Sequence, residues 1–187
     1  MEDKDVVFLC ETHCNVRSLA QKSGFIAHGD PAFPLFQKHG GLAVFIKDCY
    51  DPYVNNVRFS KCTISFSLTN MPNVFFMGVY IYPTDSSNHD VGDFGIVIEE
   101  IRFWLNKGFL PYIGGDFNSR IGNFDKLSAK TLKWRYSDNI DQCHNPNHKN
   151  FMNMCELLKI LPLNHCIYKN THFQGHWTYF KANRKVK

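Results

Sequence analysis

Short apolar runs separated by polar and glycine-containing segments recur along the first half of the chain and predict β-strands. The first, DVVFLCET at 5–12, has an apolar centre and polar ends, which is typical of a buried strand. Further runs at 40–48, 57–68 and 73–83 are rich in aromatic and β-branched residues, and Pro83 ends the last. Because these three runs follow one another closely, they predict hairpin or meander pairing.

Later segments change to helical spacing. Residues 91–108 repeat apolar side chains at intervals of three and four and end at Gly108, a typical C-cap residue. Residues 149–164 do the same, and Pro162 is expected to end that helix. The run FLPYIGGDFN at 109–118, between the two, predicts another buried strand.

Strands that alternate with helices predict an α/β or α+β sandwich, with mixed, mostly antiparallel β-sheets packed face to face and helices outside. A closing hairpin is expected from the runs at 165–173 and 176–182, across Gln174 and Gly175. No repeat or linker divides the chain, so residues 1–187 are interpreted as a single domain.

Composition and charge restrict the function only loosely. A hydrophobic share of 44% with 17 Phe indicates a packed globular protein. The formal net charge of +4 suits a polyanion such as DNA, although an ordinary surface has the same value. The seven cysteines are an odd number in apolar contexts, and no leading signal peptide or long apolar run is present. We therefore expect an intracellular protein without membrane association.

The stretch YIGGDFNSRIG at 112–122 carries the candidate chemistry. In an extended D-x-N segment the side chains of Asp116 and Asn118 point to one face. A carboxylate can bind a hard cation or take a proton from water, and an amide can donate to a phosphate oxygen. The same composition also favours a simple turn, and Glu11 and Tyr80 taken singly are ordinary strand residues.

The order of four motifs resembles the endonuclease/exonuclease/phosphatase superfamily, the fold of apurinic endonucleases and pancreatic DNase. Within it, the chain is most similar to the endonuclease domains of non-LTR retrotransposon reverse transcriptase proteins. The motifs are DVVFLCETH ending near Glu11, GGLAVFIK, GVYIYP with Tyr80, and GGDFNSRIG with Asp116 and Asn118. A later run, NPNHKNFMNMCELLKILPLN, is similar to a family segment, with His148 where a glycine is usual.

The resemblance implies a nuclease that hydrolyses a DNA phosphodiester and leaves a nick. Glu11 would bind a single Mg2+ (or Mn2+), Asp116 would orient or deprotonate a water, and Asn118 and Tyr80 would contact the phosphate. Two further residues are weaker candidates for a phosphate or DNA contact, namely Arg120 and Asn145. No small-molecule cofactor is expected, and an active enzyme of this kind would be nuclear.

The family pattern also has parts that this sequence lacks. Family members usually open with a strand that bears an Asn and close with an Asp followed by an Asp-His pair. We therefore expect a domain truncated at both ends, an incomplete four-layer fold whose uncovered sheet edges favour self-association. Two alternatives stay open, a catalytically inactive remnant with or without weak DNA binding, and a phosphatase of the same superfamily.

Overall fold

The computed structural model describes residues 5–11, 24–29, 42–120 and 145–160, together with the backbone of five short strands between residues 135 and 185. The chain divides into two compact units, Met1–Asn118 and Ser119–Lys187.

The first unit contains two β-sheets. The first sheet is antiparallel in the order β1-β3-β2, formed by β1 (Val6–Cys10), β2 (Phe25–Gly29) and β3 (Leu42–Lys47). A 3-10 helix, Asp48–Tyr53, leads into the second sheet. That sheet has the order β4-β5-β6-β7, formed by β4 (Val54–Phe59), β5 (Thr63–Leu68), β6 (Met71–Tyr80) and β7 (Leu110–Asp116).

The two sheets of this unit pack face to face. Val44 and Ile46 of β3 share a buried apolar cluster with Ile64 and Phe66 of β5 and Phe76 of β6. Alternate residues of each strand point to this interface because the side-chain period of a strand is two. The predicted α+β sandwich is therefore confirmed.

Helix α1 (Asp93–Asn106) connects β6 to β7 and covers the other face of the second sheet. Trp104 is fully buried and stacks on Phe75 with ring centroids 5.3 Å apart. Its Nε1–H donates to Ser65 Oγ at 2.9 Å, while Glu100 accepts hydrogen bonds from Arg58 and Ser65. Since α1 is the crossover, β6 and β7 run parallel.

The described part of the second unit consists of one helix and short strands. Helix α2 (Asn147–Leu158) buries Phe151, Met154 and Cys155, which lie on the predicted face. It ends with Lys159 in the left-handed conformation, at φ 55°. The predicted stop at Pro162 is thus wrong, because a C-cap ends the helix earlier.

The strands of the second unit differ from the predicted closing hairpin. β9 (Cys166–Tyr168) pairs with β10 (Thr171–His172) and with β8 (Arg135–Tyr136), and β11 (Phe180–Lys181) pairs with β12 (Arg184–Lys185). β10 therefore pairs with β9 inside the run that was predicted as a single strand, and the predicted turn at Gln174 and Gly175 lies outside the described residues.

Three details of the first unit also depart from the sequence predictions. β2 was not predicted. The run at 57–68 is divided by a turn, in which Ser60 Oγ accepts the Thr63 backbone N–H at 3.0 Å. The run at 40–48 belongs to the first sheet, so the meander consists of β4, β5 and β6 only.

None of the helices in the described ranges is both long and apolar enough to cross a membrane.

Candidate active site

Three polar side chains lie at the C-terminal ends of β1, β6 and β7. Glu11 directly follows β1, Tyr80 ends β6, and Asp116 ends β7. Tyr80 and Asp116 are register partners in the parallel pair, and the Ile81 N–H donates to the Asp116 carbonyl at 2.9 Å. The pairing of β6 with β7 thus places Tyr80 and Asp116 side by side.

Glycines bring β1 close enough to the second sheet to add Glu11 to this group. A side chain at Gly78 would overlap Phe8 of β1, and Gly114, its register partner, faces the same ring. Close to the site, Cys10 Sγ donates to the Val79 carbonyl at 3.5 Å. The glycines of β6 and β7 therefore provide the space in which β1 packs against the second sheet.

The Tyr80 hydroxyl donates to Glu11 Oε1 at 2.5 Å, a short hydrogen bond between the two sheets. Tyr80 is only 3% exposed. Burial raises the pKa of its phenol, and the hydrogen bond and charge of Glu11 raise it further. The phenol therefore stays protonated and remains a donor at neutral pH.

The carboxylate of Asp116 is the second acidic group of the site and lies near that of Glu11. Asp116 is exposed at the end of β7, but partial desolvation of its carboxyl raises its pKa; the backbone N–H of Asn118 opposes this, and the charge of Glu11 adds to the increase. Two carboxylates near each other in this way favour a bound cation or a retained proton. The local electrostatics of the site are therefore those of two neighbouring acidic groups, neither of which has an ion-pair partner among the described residues.

Asn118 closes a turn around Asp116 and is not part of an extended segment. Its φ is 43°, in the left-handed region, and its N–H donates to Asp116 Oδ1 at 2.7 Å. Its Nδ2–H donates to the Ile81 carbonyl at 2.7 Å. The expectation of two side chains on one face of an extended D-x-N is wrong, because the Asp side chain captures the backbone two residues on. Asn118 holds Asp116 against the end of β6.

Glu11 also has a left-handed backbone, with φ 51°. A residue with a Cβ adopts this region at a cost, and such residues concentrate at functional sites. The turn at Glu11 ends β1 just where its carboxylate reaches Tyr80.

The two weaker candidates, Arg120 and Asn145, belong to the second unit. The Arg120 backbone N–H donates to Asn145 Oδ1 at 3.1 Å. The Asn145 side chain therefore binds the chain just after the D-x-N turn. Whether either residue contacts a phosphate stays a prediction.

Tyr82 is a candidate that sequence reasoning missed. Its ring meets that of Tyr80 edge to face, with centroids 5.0 Å apart, and Lys61 Nζ lies 5.8 Å from the Tyr82 ring centroid. The signal was present in the sequence, since Tyr82 lies in the predicted strand at 73–83 and residues two apart in a strand share a face, although β6 itself ends at Tyr80. Lys61, by contrast, comes from the turn before β5 and had no signal in the sequence.

The residues described contain no group of three or more His, Cys, Asp or Glu side chains arranged to hold a metal ion. The donors at the site are the carboxylates of Glu11 and Asp116. Mg2+ in proteins is commonly held by one or two carboxylates, with water and substrate oxygens completing its shell. The hard oxygen donors and the adjacent negative charges of this pair fit such an ion.

No protein-family model matches the chain, and comparison with curated proteins gives no match.

Proposed function

We propose that this protein hydrolyses DNA phosphodiesters with the help of a divalent metal ion and nicks its substrate, as a retrotransposon-type endonuclease would. The observation that supports the proposal best is the group formed by Glu11, Tyr80 and Asp116 at the ends of three strands from two sheets. It combines a cation-binding pair of carboxylates with a hydrogen-bond donor on a rigid frame.

Glu11, with Asp116 beside it, would hold Mg2+ or Mn2+. When bound, the ion would polarise a phosphoryl oxygen and offset the charge that develops during hydrolysis.

Asp116 is the proposed group that orients or deprotonates the attacking water. Its raised pKa makes its ionised form a stronger base than an ordinary aspartate, and Asn118 fixes the turn that holds it. Because the Asn118 amide donates to the Ile81 carbonyl, its main proposed task is to position Asp116.

Tyr80 has a single O–H and donates it to Glu11. Its proposed task is therefore to orient the carboxylate that holds the ion. Donation to a phosphate oxygen would require the hydroxyl proton to turn away from Glu11.

The proposal is tested by nicking of supercoiled plasmid in Mg2+. The variants are Asp116→Asn, which keeps an oxygen for the Asn118 N–H, and Glu11→Gln. Glu99→Gln is the matched control because Glu99 is an exposed helix carboxylate, paired only with Arg102 in the part described. Circular dichroism confirms that each variant is folded.

We expect nicking by the parent and by Glu99→Gln, lost on chelation of the metal and reduced about 100-fold or more in Asp116→Asn and Glu11→Gln. A folded parent that binds DNA without nicking it would contradict the proposal and favour a non-catalytic DNA-binding protein. Release of phosphate from a small ester without nicking would favour a phosphatase instead.

A further inference from the structure

The side chain of Tyr82 is almost entirely buried, yet its hydroxyl has no protein partner in the described ranges. Tyr82 is 4% exposed. Of the side-chain polar atoms described, the one that is fully buried without a hydrogen bond is Ser119 Oγ. The Tyr82 hydroxyl is therefore at least slightly exposed to solvent, although most of the side chain is buried.

A buried tyrosine normally finds a partner for its hydroxyl. Here, the hydroxyl opens to the surface next to the ring of Tyr80, which contacts the carboxylate pair. Burial raises the pKa of the Tyr82 phenol, and the charge of Lys61 only partly opposes this. The phenol thus remains protonated, with its O–H free to donate to a ligand.

Lys61 adds positive charge near Tyr82, with its Nζ 5.8 Å from the ring centroid. Its Nζ donates to Asp93 Oδ1 at 2.8 Å, and its side chain is 32% exposed. An ammonium group has three protons, so this ion pair leaves donors that can face solvent. Asp93 is fully buried in the first turn of α1, where the helix N-terminus shares its negative charge.

The ligand that suits these donors is an anionic oxygen rather than a base. A base that stacks needs the open face of an aromatic ring, and the ring of Tyr82 is buried. Tyrosine hydroxyls and lysine ammonium groups are typical phosphate contacts, and here the ammonium group lies 5.8 Å from the centroid of the tyrosine ring.

We propose that Tyr82 and Lys61 form a second phosphate subsite, which binds a phosphodiester next to the one that is cleaved. This rests on the proposed nuclease function. Tyr80 ends β6, and the ring of Tyr82 meets that of Tyr80 with centroids 5.0 Å apart. A nucleic-acid strand whose cleaved phosphate lies at the carboxylate pair therefore brings a neighbouring phosphate close to Tyr82.

The test compares a substrate with one phosphodiester and a substrate with many. Bis(p-nitrophenyl) phosphate reaches only the carboxylate site, whereas a duplex oligonucleotide of ten base pairs also reaches the subsite. Tyr82→Phe removes a single oxygen and keeps the buried ring. Tyr53→Phe is the matched control, since Tyr53 is 42% exposed and lies in the 3-10 helix.

For Tyr82→Phe we expect KM on the oligonucleotide to rise about tenfold, the effect of one hydrogen bond to a charged group. Its kcat/KM on the small ester should stay within about twofold of the parent, and Tyr53→Phe should match the parent on both substrates. Equal losses on the two substrates, or no loss on either, would overturn the subsite.

A binding measurement separates this inference from the proposed function. Fluorescence anisotropy of the same oligonucleotide in Ca2+ compares the parent, Tyr82→Phe and Lys61→Gln, whose amide can still donate to Asp93. Weaker binding by Tyr82→Phe, with a salt dependence reduced by about one phosphate contact in Lys61→Gln, supports the subsite even if the parent never cleaves. Unchanged binding overturns the subsite even if the parent does cleave, and a parent that neither binds nor cleaves overturns both proposals.

Discussion

Folding makes the ionised form of the Asp116 carboxyl less favourable than it is in the unfolded chain. Partial desolvation and the neighbouring Glu11 both raise the pKa of this carboxyl above its unfolded value, and the Asn118 N–H counteracts them in part. Between the ordinary and the raised pKa, the folded state binds more protons than the unfolded state. The free energy of unfolding therefore falls as pH rises through that window, and the loss is complete above it.

Asp116→Asn should consequently be more stable than the parent at pH 7.5, because the amide keeps the turn and removes the charge. The advantage should disappear at a pH below the ordinary Asp pKa, where Asp116 is protonated in both states. Urea denaturation of both proteins at several pH values measures the difference. A variant that is less stable than the parent at pH 7.5 would contradict this account of the site.

The hydroxyl of Tyr80 orients Glu11 without contributing a ligand of its own. Tyr80→Phe should lower metal affinity or nicking about 10- to 100-fold, the usual loss when a group behind a metal ligand is removed. Titration with Mn2+ and plasmid nicking measure the two effects. Tyr112→Phe is the control because Tyr112 is 63% exposed on β7, and it should behave as the parent.

Individual residues of the candidate site were only partly predictable. Glu11, Tyr80 and Asp116 could be chosen from the sequence because each stands at the end of a predicted strand and because the order of their motifs resembles a nuclease family. The left-handed turn at Asn118 could not, since the bond from its N–H to Asp116 Oδ1 competes with the extended form that the residue spacing also allows. Lys61 could not be found because its approach to Tyr82 depends on the packing of β5 and α1.

At the scale of elements, the contact between β1 and the second sheet determines where Glu11 lies. Gly78→Ala would drive a methyl group into the ring of Phe8. We expect a loss of about 1–3 kcal/mol in unfolding free energy, the usual cost of overpacking, and a disturbed site. Denaturant unfolding and nicking are the measurements.

Gly95→Ala is the matched control for that change. Gly95 lies in α1, and a Cβ there meets nothing within 4 Å. This variant should gain roughly 0.5–1 kcal/mol because alanine favours a helix more than glycine does. If Gly78→Ala and Gly95→Ala changed the unfolding free energy equally, the packing of Phe8 would not require a glycine at position 78.

The elements themselves were more predictable than their partners. The periodicity of α1 and the apolar runs of β1, β6 and β7 come from local sequence. β3 belongs to the first sheet, from which Val44 and Ile46 pack against the core of the second sheet. These contacts join residues far apart in the sequence, so no local pattern encodes the sheet to which β3 belongs.

At the scale of the whole molecule, a metal ion that binds only the folded chain should stabilise it. Mg2+ should raise the melting temperature of the parent, with about 2.7 kcal/mol gained at a hundred times the dissociation constant. Glu11→Gln should lose most of this gain, and Glu99→Gln should keep it. Differential scanning calorimetry with and without Mg2+ measures it, and an equal rise in the Glu11→Gln variant would place the ion elsewhere.

The hydrogen bond between Tyr80 and Glu11 joins residues 69 positions apart in the chain. During synthesis Glu11 leaves the ribosome long before Tyr80, and Asp116 appears later still, because a chain is made from its N-terminus. Glu11, which follows β1, can therefore contact Tyr80 and Asp116 only after β6, α1 and β7 have been synthesised. The site is completed only after the ribosome has passed residue 116, so a nascent chain shorter than this cannot assemble it.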